Sequence, residues 1–179
     1  MRIKLAIIAV LAVILALLFW PSTQKILFHT ESEFGPIWVY EEDNQRRLSF
    51  NGVPAHLIQS QIHLDRPEHL VAPYNQMLMS SLFFTSNPKK ILMIGLGGAT
   101  TAKALNLLLP KTPIDIVEIN PALPPIAAEY FDFREDARNK IFIEDGVGFM
   151  KNAAKNSYDL IILDAFDIDY IPPGFLTLS

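Results

Sequence analysis

The chain has 179 residues, half of them hydrophobic, and a net charge of −4. That is enough for one domain with attachments and too apolar for a disordered chain. The mild acidity excludes a surface built on clustered Lys and Arg for nucleic acid, and the absence of cysteine excludes disulfides, thiolate metal sites and cysteine nucleophiles.

The chain opens with "MRIKLAIIAVLAVILALLFW", in which Arg2 and Lys4 precede an uncharged apolar run from Leu5 to Trp20. A bilayer core takes ~20 apolar residues, with ~17 near the minimum, and Trp20 stands where an interfacial aromatic belongs. Residues 1–24 therefore read as a single-pass transmembrane anchor. The following "LLFWPSTQ" offers no small-x-small cleavage site for a secretory signal, although a cleaved signal and a buried core helix are the competing readings. The positive-inside rule puts Arg2 and Lys4 in the cytoplasm and the remainder outside.

Residues 25–64 read as a β-strand segment. "GPIWVYEE" and "RRLSFNG" flank the polar turn "EDNQ", and "AHLIQSQIHL" alternates in the same way, so a small antiparallel sheet is expected over about Glu33 to Leu64. A helix is expected in "PEHLVAPYNQMLMSSLFF", where Leu70, Tyr74, Met77, Leu78 and Leu82 recur at three- and four-residue spacing; Pro73 kinks it or delays its start.

From Lys90 onward, short apolar runs alternate with helical stretches. The strands are "ILMIG", "IDIVEIN", "KIFIED" and "YDLIILDAF", separated by "TTAKALNLLL", "PPIAAEYF" and "GVGFMKNAA". Residues 65–179 are accordingly expected to form an α/β domain of the doubly wound, Rossmann-type class, with a parallel sheet covered on both faces. Ligands of such sheets bind at the carboxyl ends of the strands. There the first strand ends in Gly95-Leu96-Gly97-Gly98, the second in Glu118, the third in Asp145-Gly146 and the fourth in Asp164, with Asp167 just beyond. Glycine permits a tight turn and close approach to the backbone. A carboxylate at the Glu118 position can accept the hydroxyls of a ribose. Asp145 before a helix is also a natural N-cap. Taken singly, each of these residues has an ordinary structural explanation; their joint placement on one edge points to a bound nucleoside. The loop lacks the sixth-position glycine of a dinucleotide fingerprint and the lysine of a P-loop. The four histidines fit no tight metal motif, so no metal is expected.

"ILMIGLGG", "IVEINP", "IEDGVGFM" and "YDLIILDAFD", with "PYNQML" and "IPPGFLTLS", together resemble the spermidine/spermine synthase family, the polyamine aminopropyltransferases, and in particular its membrane-attached bacterial members. The resemblance runs from about Phe34 to Thr177. It implies an S-adenosylmethionine-dependent methyltransferase fold, an inner-membrane location, and transfer of an aminopropyl group from decarboxylated S-adenosylmethionine to a small-molecule amine. It implies that Gly95 and Gly97 pack against the donor, Glu118 binds its ribose, and Asp145 with Gly146 meets its adenine. It also implies that Asp164 helps deprotonate the attacking amine, while Asp167 and Tyr74 hold that amine. The chain departs from the family pattern at Gly98, where an aspartate is usual, at Phe34-Gly35 in place of Tyr-Gln, and at Asn75 in place of histidine. Methyl transfer from S-adenosylmethionine, or nucleoside binding without catalysis, are the alternatives that these departures leave open. The family continues past the position of Ser179 with a further helix and strands. The fold is therefore expected to be incomplete at its C-terminus, with an open strand edge for a partner or a second copy to cover.

Overall fold

The structure, a computed structural model, describes residues 23–85, 87–165 and 173–176. The candidate anchor, Leu5 to Trp20, and Asp167 lie outside them. Among the described residues no helix is long and apolar enough to cross a membrane.

Four antiparallel strands come first: β1 (Lys25–Ser32), β2 (Gly35–Glu42), β3 (Gln45–Ser49) and β4 (Ser60–His63), hydrogen-bonded in that order. The polar turn between β2 and β3 places Asp43 and Asn44 at φ 51° and 59°. Paired left-handed residues give the turn whose twist matches a tight hairpin, and Asp and Asn tolerate that conformation. The sheet begins earlier than the expected Glu33, because β1 pairs with β2 along most of its length. Ile37, Val39, Leu48 and Ile62 point from this sheet into the main core.

The expected long helix is shorter. α1 (Pro73–Met79) has Pro73 in its first turn and passes into a 3-10 turn at Ser80–Phe83. Proline suits a helix start, where no N–H is needed, and resists continuation upstream.

The second sheet is built from β5 (Ile91–Ile94), β6 (Ile114–Glu118), β7 (Asn139–Ile143) and β8 (Leu160–Leu163). Helices α2 (Thr100–Leu108), α3 (Leu123–Tyr130) and α4 (Gly146–Asn152) connect them. All pairings are parallel and the order is β7-β6-β5-β8. The chain winds outward from β5 to β6 and β7, then returns to place β8 on the other side of β5. That reversal opens a crevice at the carboxyl ends of β5 and β8, where ligands of such sheets bind.

The central strands β5 and β6 are buried on both faces, whereas β7 and β8 expose Phe142, Ile143 and Ile161, so the expected cover on both faces reaches only the middle of the sheet. Ile91, Met93, Ile114 and Ile116 pack with Leu105, Ile126 and the inward residues of the first sheet. Leu92, Ile94 and Val117 face the other way, toward Phe149 and Phe175. At the amino ends of the strands, Asp115 accepts a hydrogen bond from the Tyr158 hydroxyl at 2.7 Å and pairs with Lys90 at 2.6 Å. This buried acid ties β5, β6 and the entry to β8 together, far along the strands from the crevice. Burial, and then the Asp115 carboxylate, push the Tyr158 phenol well above its ordinary pKa. Among the described residues β8 is the last strand of its sheet, and Ile161 on it is 49% exposed.

Candidate active site

The glycine turn after β5 passes through positive φ at Gly95 (99°), Gly97 (53°) and Ala99 (59°). A Cβ on Gly95 would lie 2.3 Å from the backbone oxygen of Asp164. The glycine therefore lets the chain's own β8 exit press against the turn, and the Asp164 N–H bonds the Ile94 carbonyl there at 2.8 Å. A Cβ on Gly97 would meet the Ser60 hydroxyl at 2.9 Å, and one on Gly98 the Ser60 Cβ at 2.8 Å and the Phe131 ring at 3.1 Å. Ser60, from β4, accepts the Gly98 N–H at 2.8 Å. The first sheet thus forms one wall of the turn.

Glu118 closes the turn from the other side. Its Oε2 accepts the Leu96 N–H and its Oε1 the Asn120 N–H, both at 2.8 Å, and the residue is only 6% exposed. Burial pushes its pKa up, opposed by the backbone amides of Asn120, Leu96, Gly97 and Ile119. Each carboxylate oxygen has two lone pairs, so both retain capacity for a ribose hydroxyl. Asp145 is exposed and caps α4, accepting the Gly148 N–H on Oδ2 at 2.8 Å. Behind it, a Cβ on Gly146 would stand 2.5 Å from Ile94 and 3.0 Å from the Phe175 ring. Only glycine lets α4 start this close to β5.

Asp164 receives the Thr101 hydroxyl on Oδ2 at 2.9 Å. Burial raises its pKa to about 6, with the Thr101 hydrogen bond pulling the other way. Tyr74 donates its hydroxyl to the Gln59 carbonyl at 3.0 Å. Its pKa is raised to about 12, first by burial and then by the negative charge of Asp164. The negative charge of Asp164 thus reaches the Tyr74 hydroxyl.

The structure brings Gly95, Gly97, Glu118, Tyr74 and Asp164 around one turn, with Asp145 and Gly146 at the adjoining strand tip. Sequence reasoning missed Thr101 and Ser60. Thr101 is one of two adjacent buried threonines at the start of α2, and nothing local in the sequence separates it from Thr100. Neither of two surface hollows, of about 370 and 240 Å³, includes Glu118 or Asp164. Among the described residues no cluster of His, Asp or Glu is placed to hold a metal ion.

Residues 72–175, spanning α1 to the last 3-10 turn, match the spermine/spermidine synthase domain. The chain belongs to that family. It is 34% identical over 155 residues to a polyamine aminopropyltransferase of Vibrio vulnificus, covering 85% of this chain and 52% of that one. It is 31% identical to spermidine synthase 2 of Arabidopsis thaliana, covering 83% and 44%. A crystal structure of a probable spermidine synthase from Corynebacterium glutamicum superposes with a TM-score of 0.71, at 24% identity, covering 84% of this chain and 56% of that one; this supports the Rossmann-like fold. The chain spans about half the length of the curated relatives it matches. In this chain the space beside Gly98 is filled by Ser60 and Phe131.

Proposed function

We propose that the chain transfers an aminopropyl group from decarboxylated S-adenosylmethionine to a small-molecule amine. The observation that carries this reading is Asp164: an acid at the switch point of the sheet, buried enough to hold a pKa of about 6 and facing Tyr74. An aliphatic amine with a pKa near ~10 is protonated at neutral pH and cannot attack until it loses a proton. Asp164 is ionised above pH 6 and attracts the ammonium; as a half-buried base it takes one proton, which frees the nitrogen lone pair to attack the carbon. Tyr74, its hydroxyl held by the Gln59 carbonyl, lies within the electrostatic reach of that carboxylate. Glu118 and Asp145 orient the nucleoside, and Gly95 and Gly97, free of Cβ atoms, let the turn pack against Asp164 and Ser60 beside it. The donor supplies an electrophilic methylene next to a sulfonium; the carbon–sulfur bond breaks, and its electron pair stays on sulfur in methylthioadenosine. By the family resemblance Asp167 would also hold the amine, and the apolar run before residue 25 would attach the domain to a membrane.

Gly98 favours a second reading, methyl transfer from intact S-adenosylmethionine, because a glycine at that position presents no negative charge to repel the carboxylate that only the intact donor carries. Incubating the purified full chain with each donor and a panel of amines separates the two. We expect methylthioadenosine from the decarboxylated donor. S-adenosylhomocysteine would replace the first reading by the second, and neither product would leave a nucleoside-binding protein without catalysis.

A further inference from the structure

Three side chains form a line through the interior: Asn75 on α1, Thr101 on α2 and Asp164 after β8. The Asn75 Nδ2 lies 2.8 Å from the Thr101 Oγ1, which lies 2.9 Å from the Asp164 Oδ2. Asn75 and Thr101 are each 1% exposed, so water does not substitute for either bond. Elementary accounting fixes the directions. An ionised carboxylate can only accept, so the single hydroxyl hydrogen of Thr101 goes to Asp164. Thr101 must then receive from its other neighbour, which orients the Asn75 carboxamide with its nitrogen toward Thr101.

We infer that Thr101 and Asn75 are positioning residues that fix the orientation and ionisation of Asp164, Asn75 by committing the Thr101 hydroxyl and Thr101 by donating it. This rests on the reading of Asp164 as the proton acceptor. The relay occupies Oδ2 and leaves Oδ1 as the oxygen for the incoming amine. It also stabilises the charged form against burial, in the direction that lowers the Asp164 pKa. Tyr74, from α1, is the titratable group that faces Asp164 among the described residues; α2 and the turn after β5 face it with Thr101 and Gly95, neither of which titrates. The Asn75–Thr101 pair therefore keeps a buried acid usable as a base near neutral pH.

The titration of Asp164, followed by carboxyl-carbon NMR in the full chain and assigned with Asp164→Asn, tests this without turnover. Thr101→Val should move its midpoint upward by about one to two pH units, the equivalent of one hydrogen bond to a charged group. Thr101→Ser should restore it, and Asn75→Leu should move it upward by less. The acidic limb of kcat/KM against pH should follow the same shifts. In the unsubstituted chain the Thr101 hydroxyl proton should exchange slowly and titrate with Asp164, a measurement that needs no variant. An unchanged midpoint in folded Thr101→Val, failure of Thr101→Ser to restore it, or a hydroxyl proton exchanging as freely as a solvent-exposed one would each overturn the inference. A shifted midpoint in a protein that transfers no aminopropyl group would uphold the positioning role and remove the aminopropyl reading alone.

Discussion

At the scale of single residues, the site's acids differ in how they are held, and the differences set what each can do. Glu118 has both oxygens on backbone amides of its own turns, so it shapes the cradle before any ligand arrives. Asp145 is exposed and spends one oxygen on a helix cap. Asp164 is the strained case in electrostatic terms: it has one side-chain donor and a pKa raised from 3.8 to about 6. A raised acid binds its proton more tightly in the folded chain than in the unfolded one. Its contribution is therefore favourable below pH 3.8, declines as pH rises to about 6, and is fully lost above that. Asp164→Asn, which removes the charge and keeps the shape, should stabilise the chain at pH 8 by up to ~3 kcal/mol relative to its effect at pH 4. Urea unfolding of both proteins at the two pH values checks this, and an equal difference at both would show that Asp164 is not held at a raised pKa. The same substitution should abolish aminopropyl transfer, so stability and activity move in opposite directions.

At the scale of elements, the glycine turn is shaped as much by the first sheet as by the strand it follows. Ser60 on β4 satisfies the buried Gly98 N–H, and the Asn120 carboxamide donates to Ser32 at the end of β1 at 3.1 Å. Ser60→Ala should leave the Gly98 amide without a partner and cost about 1–3 kcal/mol. A lowered urea midpoint and faster hydrogen exchange at Gly98 are the expected readings; unchanged exchange there would mean the turn holds its form without β4. Much of the second sheet was legible in the sequence, because parallel strands next to the core are short unbroken apolar runs: "ILMI" is buried throughout, and "LIIL" is the same kind of run although it is partly exposed here. The acids at their ends were legible for the same reason, since a charge directly after such a run marks where the strand leaves the core. β1 was not legible. Its register slips between Ile26 and Phe28, and its exposure follows no clean alternation, so the period that announces a strand is broken. Thr101 and Ser60 escaped because their partners stand 63 and 38 residues away in the chain, and nothing local in the sequence marks a contact at that range.

At the scale of the whole molecule, the proposed membrane anchor carries its own prediction of which side the α/β domain faces. Arg2 and Lys4 lie immediately beside the apolar run Leu5 to Trp20, where the positive-inside bias acts most strongly. No acidic residue lies within the run, and Trp20 supplies an interfacial anchor at its far end. These features predict a cytoplasmic N-terminus and a domain on the opposite face. The nucleoside donor, however, is a cytoplasmic metabolite, so the charge rule and the proposed chemistry pull in opposite directions. Reporter fusions after Ser179 decide between them. Alkaline phosphatase should be active and a cytoplasmic reporter silent if Arg2 and Lys4 set the orientation. Replacing both with Glu should then weaken or reverse the pattern, because the bias is carried by Lys and Arg rather than by net charge. An active cytoplasmic reporter in the unsubstituted chain would defeat the external placement. It would also put the crevice at Asp164 and Glu118 in direct contact with the cytoplasmic pool of donor and amines, the arrangement that catalysis at that crevice requires.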